Sequence, residues 1–185
     1  VIISTYQSTS GAGKAPMDEL LEQTKLSLES KKIVSKNFTK QIAFNAIPHI
    51  DMFADEGYTK EELKMVNETK KILDKNIEIT ATCVRIPVLV SHAESINIEF
   101  ENEFTIEKIR NALNSAEGCE VIDERKDGGY ITPLEAEGKN ETFISRIRKD
   151  NSNNKAVNLW CVSDNLLRGA ALNAVEIAEA YIKNK

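Results

Sequence analysis

The sequence predicts an α+β domain, a mixed or antiparallel sheet with helices packed on one face. Three observations lead there. Short β-branched runs and helical patterns follow one another without a clean strand–helix alternation. Ile96, Ile98 and Phe100 alternate with polar residues, the period of a strand with one dry face. The chain has 185 residues, of which 41% are hydrophobic and 29% charged, enough for one sizeable core.

Val1 to Tyr6 is β-branched and aromatic, so it reads as a strand, and Gly11-Ala12-Gly13 breaks it. A helix follows over residues 16–31, with Pro16 suited to the first turn and Leu20, Leu21, Thr24 and Leu28 as its apolar stripe. Gln41 to Ile47 reads as a short strand or extended segment closed by Pro48. Thr59-Lys60-Glu61-Glu62 has the capping-box pattern and starts a helix to about Leu73, with Leu63, Val66 and Ile72 facing inward. Ile77 to Val84 and Ile96 to Phe100 are predicted strands. Thr105 to Leu113 is a short helix with Ile106, Ile109 and Leu113 on one face. Asp127-Gly128-Gly129 is a turn, and Phe143–Arg148 and Val157–Val162 are two further strands. Asp164 can cap a last helix in which Leu167, Ala170, Ala174, Ile177, Ala178 and Tyr181 form the buried stripe.

Charge narrows the partners. The 24 Lys and Arg against 29 Asp and Glu give a net charge of −5, which argues against nucleic acid or an anionic membrane surface. No apolar run approaches the ~20 residues of a membrane span, and no basic-then-apolar leader is present. Three cysteines with no Cys-x-x-Cys spacing suggest reduced thiols in a cytoplasmic protein. Two histidines, His49 and His92, are too few and too far apart for a zinc motif, so no metal is expected. The chain opens at Val1 in mid-strand without an initiator Met, the pattern of a processed or truncated product.

Four places carry candidate chemistry, each with a plain alternative. Gln7 and the Ser10-Gly11-Ala12-Gly13 turn follow a strand and precede a helix, where backbone N–H groups can meet an anion; most such turns are only turns. Glu61 and Lys64 lie three apart in the first turn of a helix and share a face, as solvated pairs often do. Arg85 and His92 sit in an otherwise apolar run, where a charge needs a partner; a core ion pair and a hydrogen-bonded core histidine would satisfy them equally. Seven apart on a straight strand, they would be ~23 Å from each other on opposite faces, but Pro87 bars a regular central strand and a bend there could bring them together. Asn165 stands where a strand enters a helix and is either a ligand contact or a cap.

Taken together, these segments resemble one family. Ser4-Thr5-Tyr6-Gln7, Ser10 to Gly13, Phe44-Asn45 through Pro48-His49, Gly57 to Glu62, Asn67-Glu68-Thr69, Cys83-Val84-Arg85, Ser91-His92, Arg146-Ile147-Arg148 and Asp164-Asn165-Leu166 follow the order of the bacterial aspartate-semialdehyde dehydrogenases. The resemblance runs from Val1 into the last helix. It covers the family's catalytic and dimerisation half, residues 1–163, plus a C-terminal helix, 164–185, that would pack on an amino-terminal nucleotide-binding domain not contained in this sequence.

The resemblance implies a glyceraldehyde-3-phosphate-dehydrogenase-like C-terminal domain, a homodimer or tetramer, and a cytoplasmic enzyme of lysine, threonine, methionine and isoleucine synthesis. The reaction it implies is NADPH-dependent reductive dephosphorylation of L-aspartyl-4-phosphate to L-aspartate 4-semialdehyde through a cysteine thioester. His92 matches the family's proton acceptor and Gln7 the side chain that orients substrate near the thiol. Arg85 matches the binder of the α-carboxylate, Glu61 that of the α-ammonium, and Lys64 the phosphate site. Ser10, Gly11, Ala12, Gly13 and Asn165 match parts of the NADP contact, and the preference for NADP over NAD is taken from the family alone. The family nucleophile lies in an Asn-Cys motif upstream of Gln7, and none of Cys83, Cys119 and Cys161 occupies that position, so the chain is expected to be inactive alone. Two other readings stay open: a non-catalytic dimerisation or scaffold module, and a sister reductase acting on N-acetyl-γ-glutamyl phosphate. A free amino group on the substrate calls for Glu61, and an acetylated one does not.

Overall fold

The computed structural model describes residues 1–184. A mixed sheet of six strands forms the centre: β1 (Ile2–Gln7), β2 (Thr80–Arg85), β3 (His92–Glu99), β4 (Cys119–Val121), β5 (Thr142–Lys149) and β6 (Ala156–Ser163), in the spatial order β2-β1-β3-β6-β5-β4. The outer pairs β1/β2 and β4/β5 are parallel, and the three inner pairings are antiparallel. The predicted α+β class with a mixed sheet is what the chain adopts.

Strand register sorts the side chains onto two faces. On one, Ile96 pairs with Leu159, Ile98 with Val157 and Ile144 with Cys161. Helix α3 (Ile106–Ser115) covers this face with Ile106, Ile109 and Leu113, as its period predicts. Thr5, Gln7, Cys83 and Arg85 share that face through the β1 and β2 register. The opposite face is closed at one end by Ala93, Phe143 and Val162 under Ile131 and the four-residue helix α4 (Pro133–Ala136). Trp160 is tied there by its Nε1–H, which donates to the Ile131 carbonyl at 3.1 Å.

Helix α1 (Lys14–Leu28) begins two residues earlier than expected, and it packs differently. Leu20 is buried, but Leu21 and Leu28 are exposed, because Glu19 and Gln23 take the inner positions. Gln23 Oε1 accepts from the backbone N–H groups of Ile42 (2.8 Å) and Ala43 (3.2 Å). That contact explains why Gln41–Ile47, read as a short strand or extended segment, turns at Ala43 and Phe44 and forms no strand. Its donors are spent on a helix side chain, and only Ile47 bridges to a strand residue, Arg85.

Helix α2 (Lys60–Ile72) has the predicted capping box. Thr59 N–H donates to Glu62 Oε2 at 2.8 Å, and Glu62 N–H donates to the Thr59 hydroxyl at 3.3 Å. The other oxygen of Glu62 accepts from Cys83 N–H on edge strand β2 at 3.1 Å. One carboxylate thus starts the helix and bolts it to the sheet. Ile72, expected to face inward, is exposed at the frayed end of that helix. Strand β4 and helix α4, too short for a periodic signal, were not anticipated.

Asp164, expected to cap the last helix, instead closes the turn that precedes it, its Oδ1 accepting from Leu166 N–H and Leu167 N–H. A π turn (Leu167–Ala171) then leads into α5 (Leu172–Lys183). The stripe predicted to be buried there is not: Ala170, Ala174, Ile177, Ala178 and Tyr181 are exposed, because no element of the described residues lies over α5.

Replacing Glu62 by Ala removes half the capping box and strands the buried N–H groups of Thr59 and Cys83. Urea unfolding should show a loss of about 2–4 kcal/mol. A loss under about 0.5 kcal/mol, the size of an ordinary surface change, would show that the carboxylate does not hold α2 to β2.

Candidate active site

Arg85 and His92 come together by a route that a bend at Pro87 does not describe. Arg85 ends β2, His92 opens β3, and β1 runs between these strands. The 86–91 connection crosses over the end of β1 and is pinned to it: Ile86 N–H donates to Gln7 O (3.0 Å), Thr9 N–H to Val88 O (2.8 Å) and Ser10 N–H to Leu89 O (3.0 Å). Gln7 pairs in register with Arg85, and Tyr6 with Ala93. Three strand ends therefore deliver Gln7, Arg85 and His92 to one edge of the sheet.

The first turn of α2 supplies the fourth side. Gln7 Nε2 donates to Glu61 Oε1 at 3.0 Å, and Glu61 Oε2 lies 3.6 Å from Lys64 Nζ. Glu61 Oε1 can only accept, which sets the Gln7 amide with Nε2 toward it, and Gln7 Oε1 accepts from the Thr5 hydroxyl at 3.0 Å. Together with Gly11, Ile50, Asp51, Asn165 and Gly169, these side chains line a cleft of about 470 Å³. Of the residues read from the sequence, Gln7, Gly11, Glu61, Lys64, Arg85, His92 and Asn165 all line it.

Arg85 is buried, and its Nη1 donates to the Ser8 carbonyl at 2.6 Å. Burial pulls its pKa down and the Glu61 charge pulls it back up, so it stays a cation. Lys64 is more than half exposed at the rim. The cleft thus presents a buried planar cation, a carboxylate and an exposed ammonium at the mouth. That is a complementary surface for a small zwitterion carrying an additional anionic group.

His92 is fixed by a backbone donor. Ser8 N–H donates to His92 Nδ1 at 3.0 Å, so Nδ1 carries no proton and the neutral ring holds its proton on Nε2. The Ser8 hydroxyl lies 3.0 Å from the same nitrogen. Burial and the nearby Arg85 charge push the His92 pKa down to about 4. Gly11 covers the ring closely, for a Cβ on Gly11 would lie 3.1 Å from His92 Nε2 and 3.3 Å from Arg85 Nη1.

The Ser10–Gly13 turn divides in two. Ser10 is buried and its hydroxyl donates to Asn165 Oδ1 at 3.0 Å. Gly13 has a φ of +104°, a conformation that favours glycine, and nothing lies within 4 Å of where a Cβ would sit. The open backbone at Gly13 and the Asn165 amide nitrogen, which has no partner among the described residues, fit a polar cofactor group approaching the cleft.

No cysteine lines the cleft. Cys83 is fully buried, and burial pushes its thiol up to about 11. Burial raises the Cys161 thiol too, and Cys119 lies on β4 at the opposite edge of the sheet. Among the described residues no group of His, Cys, Asp and Glu could hold a metal ion. Ser8 was not singled out from the sequence, and Ser91 was named only as part of the Ser91-His92 segment; their signal lay in flanking Gln7 and His92.

Comparison with known proteins identifies the class. Residues 1–168 match the family model described as semialdehyde dehydrogenase, dimerisation domain, and the chain belongs to that family. Its relatives are more specific. Aspartate-semialdehyde dehydrogenase of Aquifex aeolicus is 49% identical over 99% of this chain and 54% of its own length. The Bacillus subtilis protein of the same name is 46% identical over 99% of this chain and 56% of its own. The chain spans about half the length of the curated relatives it matches. Aspartate semialdehyde dehydrogenase II of Vibrio cholerae, solved in complex with ASA, superposes with a TM-score of 0.94 at 43% identity, covering 98% of this chain and 54% of that one. The Candida albicans enzyme solved with NADP shares the fold, with a TM-score of 0.68 at 22% identity. The resemblance read from the sequence is borne out.

The His92 environment makes a pH prediction. An unfolded His92 takes up its proton near 6.5 and the folded one only near 4. Between those values the unfolded state binds more protons, so stability falls as pH drops. In His92→Gln the unfolding free energy should change less between pH 6.5 and 4, by about 2–3 kcal/mol. Parallel pH–stability curves for the two proteins would refute a depressed His92.

Proposed function

We propose that this chain forms the substrate-binding half of an aspartate-semialdehyde dehydrogenase site, which acts by NADPH-dependent reductive dephosphorylation of L-aspartyl-4-phosphate to L-aspartate 4-semialdehyde. The observation that carries the reading is the Gln7–Glu61–Arg85 arrangement. It sets a buried guanidinium and a carboxylate in one cleft, the two charges needed to grip a free amino acid by both its charged ends.

In this reading Arg85 takes the substrate α-carboxylate with the guanidinium nitrogens not spent on Ser8 O. Glu61 takes the α-ammonium, steadied by Gln7, and Lys64 at the rim meets the phosphate. A thiolate attacks the acyl phosphate carbon; the C–S bond forms, the C–O bond to phosphate breaks, and phosphate leaves toward Lys64. A nicotinamide cofactor, when bound, would supply the hydride for the thioester carbon, after which the C–S bond breaks to give the aldehyde and return the thiolate. His92 Nε2 stands at the reacting oxygen, where it hydrogen-bonds the developing charge and exchanges its proton. The proton-acceptor role implied by the family requires the ring to leave the tautomer that Ser8 imposes.

The nucleophilic thiol comes from outside these 185 residues, since none of Cys83, Cys119 and Cys161 reaches the cleft. The α5 stripe, exposed here, is the surface on which the nucleotide-binding portion packs, and association into a homodimer or tetramer follows the dimerisation-domain match. No helix among the described residues is long and apolar enough to cross a membrane; the cytoplasmic location proposed follows the family reading.

The test is phosphate-dependent reduction of NADP with L-aspartate semialdehyde, on the full-length protein and on the 185 residues alone. Activity is expected only in the full-length protein. There, Arg85→Lys should lower kcat/KM by about 10²-fold or more, because an ammonium cannot replace the bidentate fork. Glu61→Gln should do likewise with the amino acid substrate. Turnover of an N-acetylated substrate, indifferent to Glu61→Gln, would move the assignment to the sister reductase. Activity of the short chain would place the nucleophile among its own cysteines.

A further inference from the structure

Asn165 was read from the sequence as a cofactor contact, but its side-chain oxygen is engaged inward. Oδ1 accepts from Ser91 N–H at 2.9 Å, from the Ser10 hydroxyl at 3.0 Å and from the Ser8 hydroxyl at 3.2 Å. The Ser91 backbone donor fixes which end of the amide is oxygen. These three partners belong to the end of β1 and to the residue immediately before His92. Ser8 and Ser91 are fully buried, and Ser91 holds a left-handed φ of +72°, which costs energy for a residue other than glycine. The Ser91 hydroxyl is buried without a hydrogen-bond partner. A strained residue with an orphaned hydroxyl is retained only where its surroundings hold it, and Asn165 supplies the bond that does so.

We propose that Asn165 is a positioning residue for His92: by tying Ser8, Ser10 and Ser91 together it presents the Ser8 N–H to His92 Nδ1 and so fixes the ring as its Nε2–H tautomer, aimed into the cleft. The inference rests on the functional reading above for its kinetic consequence, but not for the tautomer. A ring fixed this way meets the substrate oxygen as a donor. To accept a proton at Nε2 it must first carry one at Nδ1, against the Ser8 N–H. The charges that act on the ring are Arg85 from β2 and Glu61 and Lys64 from α2, whereas the hydrogen bonds at Nδ1 are made by Ser8. The control of the tautomer therefore lies with the serine–asparagine knot rather than with the ionic groups.

Histidine-selective 15N NMR of the full-length protein tests the tautomer, with His92 assigned by the signal lost in His92→Gln. The wild type should give one neutral Nε2–H form at pH 7. Asn165→Ala should give a mixture of both tautomers. Asn165→Asp keeps an oxygen acceptor in the same place and guards against a misfolded Ala variant. It should retain the Nε2–H form while its added charge, next to Ser8, moves the His92 titration upward. A wild-type Nδ1–H ring, or a single unchanged tautomer in Asn165→Ala together with an unmoved titration in Asn165→Asp, overturns the proposal.

Kinetics separate positioning from cofactor contact. In Asn165→Ala, kcat for aspartate semialdehyde should fall by up to about 100-fold, the scale of a misplaced catalytic group, with the NADP KM within about twofold. A raised NADP KM with unchanged kcat would make Asn165 a cofactor contact and overturn the kinetic half. Should the wild type not turn over aspartate semialdehyde at all, the functional reading fails, and the NMR result alone decides for or against the tautomer control.

Discussion

The clamped end of β1 is the constraint on which the rest of the structure depends. A central strand flanked by one parallel and one antiparallel neighbour brings two strand ends to its own last residue. The connection from β2 to β3 then has to pass over that end. Its backbone hydrogen bonds to Gln7, Thr9 and Ser10 leave it no freedom to drift. Because the groups are strand termini in a shared ladder, their spacing is set by the sheet. The polar cleft keeps its geometry for this reason: rigid elements hold the residues, and loops only connect them.

The first turn of α2 repeats the economy at the cleft's open side. Glu61 and Glu62 are adjacent in sequence and do different work. Glu62 turns inward to the helix cap and the β2 edge, so its charge is absorbed by backbone donors. Glu61 turns to Gln7 and Lys64 and remains available to a ligand. The first supplies the rigidity that lets the second be placed. Without the Cys83 contact, α2 could rotate about its axis and carry Glu61 and Lys64 out of register with Arg85.

Much of this was legible in the sequence, and the illegible parts share a cause. The capping box at Thr59, the period of α3 and the alternation in β3 are local signals, and each gave its element. The Arg85 and His92 run was conspicuous because charge sat among Val, Ile and Leu. How those two residues meet was not legible, since it depends on β1 inserting between strands that are neighbours in sequence. The Gln41–Ile47 segment misled for a related reason. Its composition suits a strand, but its backbone partners are supplied by Gln23 from a helix nearly twenty residues earlier. The α5 stripe was read correctly as apolar and wrongly as buried, because burial is decided by what lies opposite and not by the stripe. The serine–asparagine knot left no pattern at all: single Ser and Asn residues from three separate segments carry no spacing to recognise.

The same knot bears on why an uncharged histidine belongs in this cleft. An imidazolium beside Arg85 would add a second buried cation and compete with the substrate's own ammonium for Glu61. On the proposed function, a neutral ring leaves Arg85 as the one buried cation of the cleft, free to meet a substrate carboxylate while Glu61 meets the amine. The neutral Nε2–H can still stabilise negative charge on an oxygen, and it does so with no reorganisation, because the Ser8 N–H has already set its direction. Burial and the Arg85 charge thus keep the ring uncharged, while the Ser8 N–H, held by hydrogen bonds that converge on Asn165, sets which nitrogen faces the cleft.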